Sequence, residues 1–467
     1  MKTIEILRKL EKETPAEVYI VGGFARDFLR NKKNYDIDVV VRKIELSEVG
    51  AFLEKHGKVK TIKLSKVENA PEVEILLFKA FNDTAEAQIS LPKKGKSWIY
   101  GSDVKISYDV RHRDFTINSL YLPIAYKTKD DIIDLVGGRR DIQRKLIRTH
   151  GNPSIKIKES PIRMMRAVSL AARTNYAIDR LLLESIKEHA DLIRNAPVEA
   201  VRAELDEILS VRKPSEYLGL MHKAGLLKHV CPELDRCVGV KQDKKYHKFD
   251  VFTHIVRTVD SIDKNEHVLR LAGLFHDVGK PDTKETCGGH VTFHKHEAYG
   301  ERVARTALER LRYPKKVVDE VTSLIKHHMY YYEPLWASST VRKFIVKVGL
   351  TEEYMVEERI GEFPLFKLRR ADRLGHGSKN TAVTNIQKEF EERILKEYRA
   401  SNGLTIKDLN IDGDVVIEHF KLKPGIQVGT ILKYLLANVL KTPEFNNRLD
   451  LLKLTAEYIY YNNEKQQ

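Results

Sequence analysis

The spacing of apolar residues changes near Pro153, and this change most constrains the fold. Before it, short β-branched runs are separated by Gly, Asn, Asp or Lys clusters, a pattern typical of strands in a small mixed sheet. These runs are VYIVGG, DIDVVVR, VEILLF, VKISYDV and DIIDL. From Ser160 onward, apolar residues recur at spacings of three and four, as in the segments PIRMMRAVSLAART, AVRAELDEIL and HIVRTVDSI. The sequence predicts an α+β fold, with a small-sheet head followed by an elongated all-α body.

Length and charge narrow the class of protein. The chain has 467 residues, which suggests about three domains. Its net charge of +15 favours a polyanion such as RNA as the partner. No apolar run approaches the roughly 18 residues of a membrane span, and the three cysteines fit neither a disulfide framework nor a paired zinc motif. We therefore expect a cytoplasmic protein without membrane contact; the oligomeric state stays open. The Lys- and Gly-rich stretch 92–98 predicts a loop.

A glycine pair and an acidic pair carry the first chemical prediction. A strand that runs into Gly22-Gly23 and then a helix offers free backbone N–H groups to a phosphate. Asp36 and Asp38 follow about fourteen residues later, and residues separated by two in a strand point to the same face. An Asp-x-Asp alone also occurs at solvated strand edges. Beside the glycine turn, it favours metal-assisted phosphoryl chemistry.

Three blocks in this order resemble class II tRNA nucleotidyltransferases and bacterial poly(A) polymerases. They are GGFARD with DID, RHRDFTINSL at 111–120 and IKESPIRMMRA at 157–167. The resemblance extends through PVEAVRAEL at 197–205 to LTIKDLNIDG at 404–413 and KPGIQVG at 423–429, so nearly the whole chain is covered. It implies a polymerase-β-like nucleotidyltransferase head that binds Mg²⁺.

The resemblance assigns roles in the head residue by residue. It implies that Asp36 and Asp38 are catalytic and hold the metal ions, with Gly22, Gly23 and Arg26 on the triphosphate of the nucleotide. Arg113, Asp114 and Asn118 match the block that binds ribose and phosphate, where an arginine of the family is replaced by His112. A third carboxylate is not fixed by any spacing; Glu74 is one candidate.

The base-reading block departs from the family. Members carry E-D-x-x-R, whose Asp and Arg select C and then A, whereas this chain has Glu159-Ser160-Pro161-Ile162-Arg163. Ser160 before Pro predicts an N-cap, and its hydroxyl both accepts and donates, so base discrimination should be weaker than with Asp. Ser160, Arg163 and Arg166 remain nucleotide-binding candidates, although Arg166 would also suit a structural ion pair.

Histidines and aspartates recur over five segments of the helical body. Their order is His, His-Asp, His, His, Asp, and imidazole with carboxylate suits a divalent transition metal such as Mn²⁺, Ni²⁺, Co²⁺ or Fe²⁺. This order resembles the HD phosphohydrolase superfamily. The resemblance implies a first metal on His254, His276, Asp277 and Asp372, with His296 and His328 in a second site or on the substrate phosphate. Lys280 would meet phosphate, and His294 and His327 are near-equivalent neighbours.

The leading hypothesis is template-independent addition or repair of the CCA end of tRNA from CTP and ATP, with HD phosphohydrolase activity in the same chain. The alternatives are a partial (CC- or A-) adding enzyme, a poly(A) polymerase, an HD hydrolase whose head only grips RNA, and a non-catalytic tRNA-binding protein. The family binds the acceptor stem and elbow of tRNA.

The predicted domains are a nucleotidyltransferase head at 1–150, a helical neck with the nucleotide-recognition helix at 151–245, an HD domain at 246–375 and a helical RNA-binding tail at 376–467.

Overall fold

The structure is a computed structural model that forms two compact units, Met1–Pro232 and Glu233–Gln467. It describes residues 1–64, 73–93, 100–243, 248–287, 290–377, 381–400 and 406–464. Most of the predicted loop at 92–98, and the first two residues of the block at 404–413, lie outside these ranges. Within the described ranges, no helix combines the length and the apolar run that crossing a bilayer requires.

The first unit contains a seven-stranded mixed sheet, as the sequence predicts. Its strands are β1 Glu17–Val21, β2 Ile37–Arg42, β3 Gly57–Leu64, β4 Val73–Ala80, β5 Ala87–Ser90, β6 Leu120–Pro123 and β7 Ile133–Asp134. Their spatial order is β3-β4-β5-β2-β1-β6-β7, with β2 and β5 parallel and the other pairs antiparallel. On β2, Ile37, Val39 and Val41 enter the main core, so Asp38 and Val40 share the opposite face.

Helices flank this sheet and then continue alone. They are α1 Lys2–Glu13, α2 Gly22–Leu29, α3 Leu46–Glu54, α4 Ile106–Asp109, α5 Gly138–Gln143, α6 Pro153–Glu159, α7 Arg163–Thr174, α8 Arg180–Glu188, α9 Val198–Leu209, α10 Pro214–Lys223, α11 Leu227–Val230 and α12 Pro232–Asp235. Short 3₁₀ turns lie at Val110–His112, Thr116–Asn118, Lys129–Asp131 and Ala190–Asn195. A parallel pair, β8 Leu146–Ile147 and β9 Ala177–Ile178, joins α5 to the region around α7.

Two local predictions are wrong. VKISYDV is not a strand, because α4 and the following 3₁₀ turn occupy it. The buried carboxylate of Asp109 accepts hydrogen bonds from Lys93 N–H and Tyr121 Oη, and these long-range contacts override the local preference for a strand. Ser160 is not an N-cap either: it ends α6, and α7 begins at Arg163. Its backbone is extended, as expected before Pro161.

The second unit is mainly helical. Its helices are α13 Val251–Asp260, α14 His267–Phe275, α15 His296–Arg310, α16 Lys315–His327, α17 Ser338–Val348, α18 Glu352–Val356, α19 Pro364–Gly375, α20 Thr381–Ala400, α21 Gly413–Phe420, α22 Ile426–Val439 and α23 Arg448–Glu464, with 3₁₀ turns at Lys280–Asp282, Ile360–Glu362, Ile406–Asp408 and Pro443–Phe445. An antiparallel strand pair that the sequence analysis missed, β10 Lys284–Cys287 and β11 His290–Phe293, precedes α15. One apolar core runs from Tyr332 to Leu451, so it includes residues on both sides of position 375.

Candidate functional site

Asp36 and Asp38 line one cleft of about 650 Å³ on the sheet of the first unit. Asp36 is exposed and directly precedes β2, while Asp38 is half-buried within it. Burial, together with the charge of Asp36, raises the pKa of Asp38. Two carboxylates that repel each other in a cleft attract a cation, so the arrangement fits a divalent metal ion.

Gly22 brings the backbone against this acidic pair. It has a left-handed φ of +68°, and a Cβ atom built on it would lie 2.7 Å from Oδ2 of Asp38. Any side chain would therefore both strain the backbone and displace the carboxylate. The glycine turn and the carboxylate form one site because β1 pairs with β2 so that Val21 faces Asp38.

The proposed ribose and phosphate block is held by a residue that the sequence analysis missed. Asp109 accepts from Nε of Arg113 at 3.0 Å, and the Arg113 Nη2 atom lies 2.8 Å from the same carboxylate. Burial alone would raise the pKa of Asp109. Arg113, the Lys93 amide and the Tyr121 hydroxyl outweigh burial, so the pKa is lowered. Arg113 is thus fixed near Asp38, where its positive charge offsets part of the upward shift of the Asp38 pKa.

Arg26 and Asn118 lie in a second network beside the glycine turn. Arg26 is buried, bonds to both oxygens of Asp27 and donates to the Asn118 side-chain oxygen at 2.8 Å. Asn34 donates to Asp27 at 2.9 Å and accepts from the backbone N–H of Asp36 at 2.9 Å. This network connects two predicted nucleotide contacts to the backbone of Asp36, and neither Asp27 nor Asn34 was predicted.

Asp114 joins the two arginines of the base-reading block. One of its oxygens accepts from Nε of Arg163 at 2.6 Å, and the other pairs with Arg166. Arg163 also donates to the backbone carbonyls of Lys156 and His112, so its guanidinium is buried and mostly saturated. Arg166 is 45% exposed and also pairs with Glu204. Arg166 therefore has more freedom than Arg163 to meet a ligand.

Glu74 does not line the carboxylate cleft. It pairs with Lys63 on β3, and it shares the face of Leu76 and Phe78, which enter the main core. The cleft is lined instead by Glu86 and Gln88, and Gln88 stands beside Asp38 in the parallel register of β2 and β5.

In the second unit, the six predicted HD residues meet in one buried cluster, where each is at most 5% exposed. They are His254, His276, Asp277, His296, His328 and Asp372. They come from α13, the end of α14, the start of α15, the end of α16 and α19. The neighbours His294 and His327 take no part in the metal-ligand groups found among the described residues.

The first group of ligand atoms surrounds Nε2 of His254. This atom lies 3.1 Å from Nε2 of His276, 3.3 Å from Oδ2 of Asp277 and 3.0 Å from Oδ1 of Asp372. Two ligands each about 2.1 Å from one cation are about 3.0 Å apart at a right angle and about 3.4 Å apart at a tetrahedral angle. The spacing therefore fits one shared cation.

Asp277 also faces the second group. Its other oxygen, Oδ1, lies 3.3 Å from Nε2 of His296 and 3.8 Å from Nε2 of His328. Although both nitrogens are buried, no hydrogen-bond partner for them is found in the described part of the chain. Such orphaned atoms fit a second cation, and Asp277 is placed to bridge the two positions.

Backbone carbonyls fix which nitrogen of each ring faces the cluster. Nδ1 of His276, His296 and His328 donates to the carbonyl three residues earlier, at 2.8, 2.8 and 2.7 Å. For His276 and His328 these carbonyls belong to the last turn of a helix, where carbonyls are available to side-chain donors; the Ile325 carbonyl also accepts the backbone N–H of His328 at 3.4 Å. Each Nε2 therefore points inward as the available metal ligand.

The charges in this cluster are strongly coupled. Burial lowers the pKa of His276, but Asp277 and Asp372 outweigh it and raise that pKa to about 10. Burial and the charge of His276 lower the pKa of His328 to about 3. Although burial raises it, His276 and Lys280 hold the pKa of Asp277 well below its usual range. His276 and Lys280 are thus the positively charged partners that lower the pKa of Asp277.

Lys280 is more enclosed than a simple phosphate contact would require. Its Nζ lies 2.6 Å from Oδ2 of Asp277 and donates to Gln242 at 2.8 Å. Gly279 lets this loop approach α15, since a Cβ there would lie 2.3 Å from the carbonyl of His296. Gln242 and the glycine contact follow from tertiary packing, and no local motif indicated them.

Comparison with protein families finds three matches along the chain. The poly(A) polymerase head domain matches residues 18–148, the probable RNA- and SrmB-binding site of polymerase A matches 175–238, and the HD domain matches 245–359.

Curated relatives include poly(A) polymerase I from Salmonella typhi, 29% identical over 58% of this chain; the chain spans only 58% of that relative's length. The multifunctional CCA protein from Vibrio cholerae is 26% identical over 85% of this chain and 94% of its own. The CCA-adding enzyme from Limosilactobacillus reuteri is 32% identical over 49% of this chain and 54% of its own.

Solved structures share the fold. The Bacillus stearothermophilus CCA-adding enzyme in complex with CTP aligns with a TM-score of 0.63 at 19% identity, covering 99% of this chain and 98% of its own. The Thermotoga maritima CCA-adding enzyme complexed with tRNA aligns with a TM-score of 0.51 at 18% identity, covering 98% and 95%. At these identities, the likeness establishes the architecture of a head with a mixed sheet followed by a mainly helical body.

Proposed function

Because this chain belongs to the family of tRNA nucleotidyltransferases and bacterial poly(A) polymerases, we propose that it adds or repairs the 3′-terminal CCA of tRNA from CTP and ATP. The observation that carries this proposal is the contact between the Gly22 turn and the paired carboxylates Asp36 and Asp38. A phosphate cradle beside two carboxylates is what nucleotidyl transfer to a terminal hydroxyl requires.

The chain's own residues divide the work of the reaction. Asp36 and Asp38 would hold Mg²⁺, which would supply charge neutralisation for the triphosphate and acidify the RNA 3′-hydroxyl. The backbone around Gly22 and Gly23 receives the phosphates, and Arg113, held by Asp109, supplies fixed positive charge beside them. Asp114 orients Arg166 toward the nucleotide, while Arg163 stabilises the turn before α7.

The net charge of +15 supports tRNA as the polymer substrate, bound at the acceptor stem and elbow mainly through its phosphates and shape. We extend the proposal to a division of labour along the chain: a head at 1–150, a neck at 151–245, an HD domain at 246–375 and an RNA-binding tail at 376–467. The match of residues 175–238 to an RNA-binding family region supports the role of the neck.

A second activity is proposed for the buried HD cluster: metal-dependent hydrolysis of phosphate esters, such as cyclic phosphate or phosphomonoester ends of RNA, or nucleotides. Six buried nitrogen and oxygen ligands fit divalent transition metals such as Mn²⁺, Ni²⁺, Co²⁺ or Fe²⁺, which when bound polarise a phosphate ester. Asp277 contacts both ligand groups. The Lys280 ammonium pairs with Asp277 and is held in place by its hydrogen bond to Gln242.

The first proposal is tested by offering each labelled nucleotide separately to tRNA that ends before CCA and measuring its incorporation. Asp36→Ala should reduce labelling at least about 1000-fold, since the ligands of the reacting metal are lost. Asp277→Ala should leave labelling intact and remove phosphate release. Asp130→Ala serves as the control for Asp36→Ala, because Asp130 is an exposed acidic residue of the first unit.

Three results would redirect the proposal. Labelling by ATP alone on any RNA would indicate a poly(A) polymerase. With CTP and ATP offered together, addition that stops after CC, or that occurs only on tRNA already ending in CC, would indicate a partial adding enzyme. Phosphate release with no labelling would leave only the HD activity.

A further inference from the structure

His376 lies beside the HD cluster, although no sequence motif included it. It follows the last residue of α19, one helical turn after Asp372. Its Nε2 is 3.2 Å from Oδ1 of Asp372, the same oxygen that lies 3.0 Å from Nε2 of His254. His254, Asp372 and His376 form a group whose ligand atoms all lie within 4.8 Å of one another.

Close helix packing holds His376 in this position. Gly375 sits against α13, where a Cβ would lie 2.2 Å from Oγ1 of Thr258 and 3.1 Å from Nδ1 of His254. The two helices can approach this closely because residue 375 has no side chain. As a result, the imidazole rings of His254 and His376 have centroids 4.6 Å apart.

We propose that His376 is a fifth, exchangeable protein ligand of the first cation position, which His254, His276, Asp277 and Asp372 form. This inference rests on the proposed HD metal centre. The separations of 3.0 and 3.2 Å around Asp372 Oδ1 fall in the range of about 3.0 to 3.4 Å expected for neighbouring ligands of one cation.

Exposure makes His376 the ligand that a substrate displaces. Its side chain is 24% exposed, whereas those of Asp277 and Asp372 are 2% and 5% exposed. A phosphate arriving from solvent therefore meets His376 before it meets the buried ligands. His376 would shield a cation held by the buried ligands, and its release would leave room there for a phosphate oxygen.

The test uses the full chain, stripped of metal and titrated with Co²⁺, whose visible absorption reports coordination number. The variants are His376→Ala, which removes the ligand, and His376→Gln, which keeps a donor for Asp372 but lacks the imidazole. His294→Ala is the matched control, because His294 is exposed and lies outside every ligand group.

With excess Mg²⁺ present to occupy the head site, we expect wild type to bind two Co²⁺ per chain. Both His376 variants should retain the buried ligands but bind the first Co²⁺ roughly 10-fold more weakly and with stronger visible absorption. Inorganic phosphate should bind the cobalt-loaded His376→Ala protein more tightly than wild type, because no ligand has to leave. His294→Ala should match wild type in all three measurements.

The outcomes separate this inference from the function on which it rests. If His376→Gln matches wild type, or neither variant changes the affinity and the spectrum, His376 is no ligand and the inference is wrong while the metal centre stands. If wild type binds no Co²⁺, the metal centre and the inference both fail.

Discussion

The two candidate metal centres of this chain differ in how far their carboxylates are exposed to solvent. In the head, Asp36 is exposed, Asp38 is half-buried, and their cleft is open. In the HD cluster, six ligands are at most 5% exposed, and three of the imidazoles are oriented by backbone carbonyls. The head therefore presents only two carboxylates in an open cleft, whereas the protein itself supplies a full set of buried candidate ligands in the HD cluster.

This difference matches the chemistry of the cations. Magnesium keeps several waters and binds through one or two carboxylates together with substrate phosphates, so a sparse site suffices. Transition metals prefer a full set of imidazole and carboxylate ligands. We therefore expect dialysis against a chelator to remove magnesium from the head at once and the HD cations slowly.

The largest effect is expected from Asp277→Asn. Asp277 offers one oxygen to each ligand group, and its charge offsets those of His276 and Lys280. Its loss should lower the affinity for both HD cations by at least about 1000-fold, since buried charges are left uncompensated. Metal analysis after gel filtration measures this. Nucleotide addition should remain within about twofold of wild type; a parallel loss of addition would show that the two centres are coupled.

Gly22→Ala tests how far the backbone builds the head centre. The new Cβ would lie 2.7 Å from Oδ2 of Asp38 at a φ of +68°. Because the carboxylate has to move, nucleotide addition should fall roughly 100-fold. Gly219→Ala, where a Cβ meets nothing within 4 Å in α10, is the control. Unchanged addition by Gly22→Ala would mean that the carboxylate position is not set by this glycine.

Asp109→Asn should destabilise the head, because Arg113 and Tyr121 both depend on that carboxylate. Leaving these groups without it should cost about 2 kcal/mol at neutral pH. The folded pKa of Asp109 lies below the value of 3.8 for a free Asp. Its contribution to stability is therefore complete above that value and is lost as the pH falls through the folded pKa.

Urea unfolding of wild type and Asp109→Asn at pH 7 and in acid measures this dependence. The two unfolding midpoints should differ at pH 7 and approach each other in acid. A difference that stays constant with pH would show that the charge of Asp109 contributes nothing to the stability of the head.

Short motifs and their order along the chain made most residues of both candidate centres predictable from the sequence. The GGFARD and DID blocks lie on elements that pair directly, so their meeting follows from the register of β1 and β2. The HD residues were identified by their order and their adjacent His276-Asp277. The mixed sheet and the helical body were also predictable, because apolar periodicity reflects burial on one face.

Residues that act through tertiary contacts were not predictable. Asp109 lies in a run whose composition favours a strand, but its contacts with Lys93, Arg113 and Tyr121 hold the segment in a helical turn. His376 gains its place from the packing of Gly375 against α13, which no spacing rule indicates. The turn at Ser160, in contrast, has a local cause that the N-cap prediction misread: Pro161 restricts Ser160 to an extended backbone, so α6 ends there.

The smallest predicted effect concerns base selection. It tests whether Ser160, in place of a carboxylate, weakens the selectivity of the head for cytosine and adenine. Ser160→Asp would place a fixed acceptor three residues before Arg163, where family members have one. A carboxylate accepts from the exocyclic amine of cytosine or adenine but cannot donate to a carbonyl oxygen, whereas a hydroxyl does both. Discrimination of CTP against UTP in single-nucleotide addition should therefore rise roughly 10-fold.

Ser160→Ala separates this gain from a change in the turn, since it keeps the backbone but removes the hydroxyl. It should lower addition of CTP and UTP equally. If Ser160→Asp instead reduces addition of every nucleotide alike, the new carboxylate competes with Asp114 for Arg163 and Arg166. Base choice would then rest on Arg166 and the elements around it, and position 160 would be a structural part of the turn.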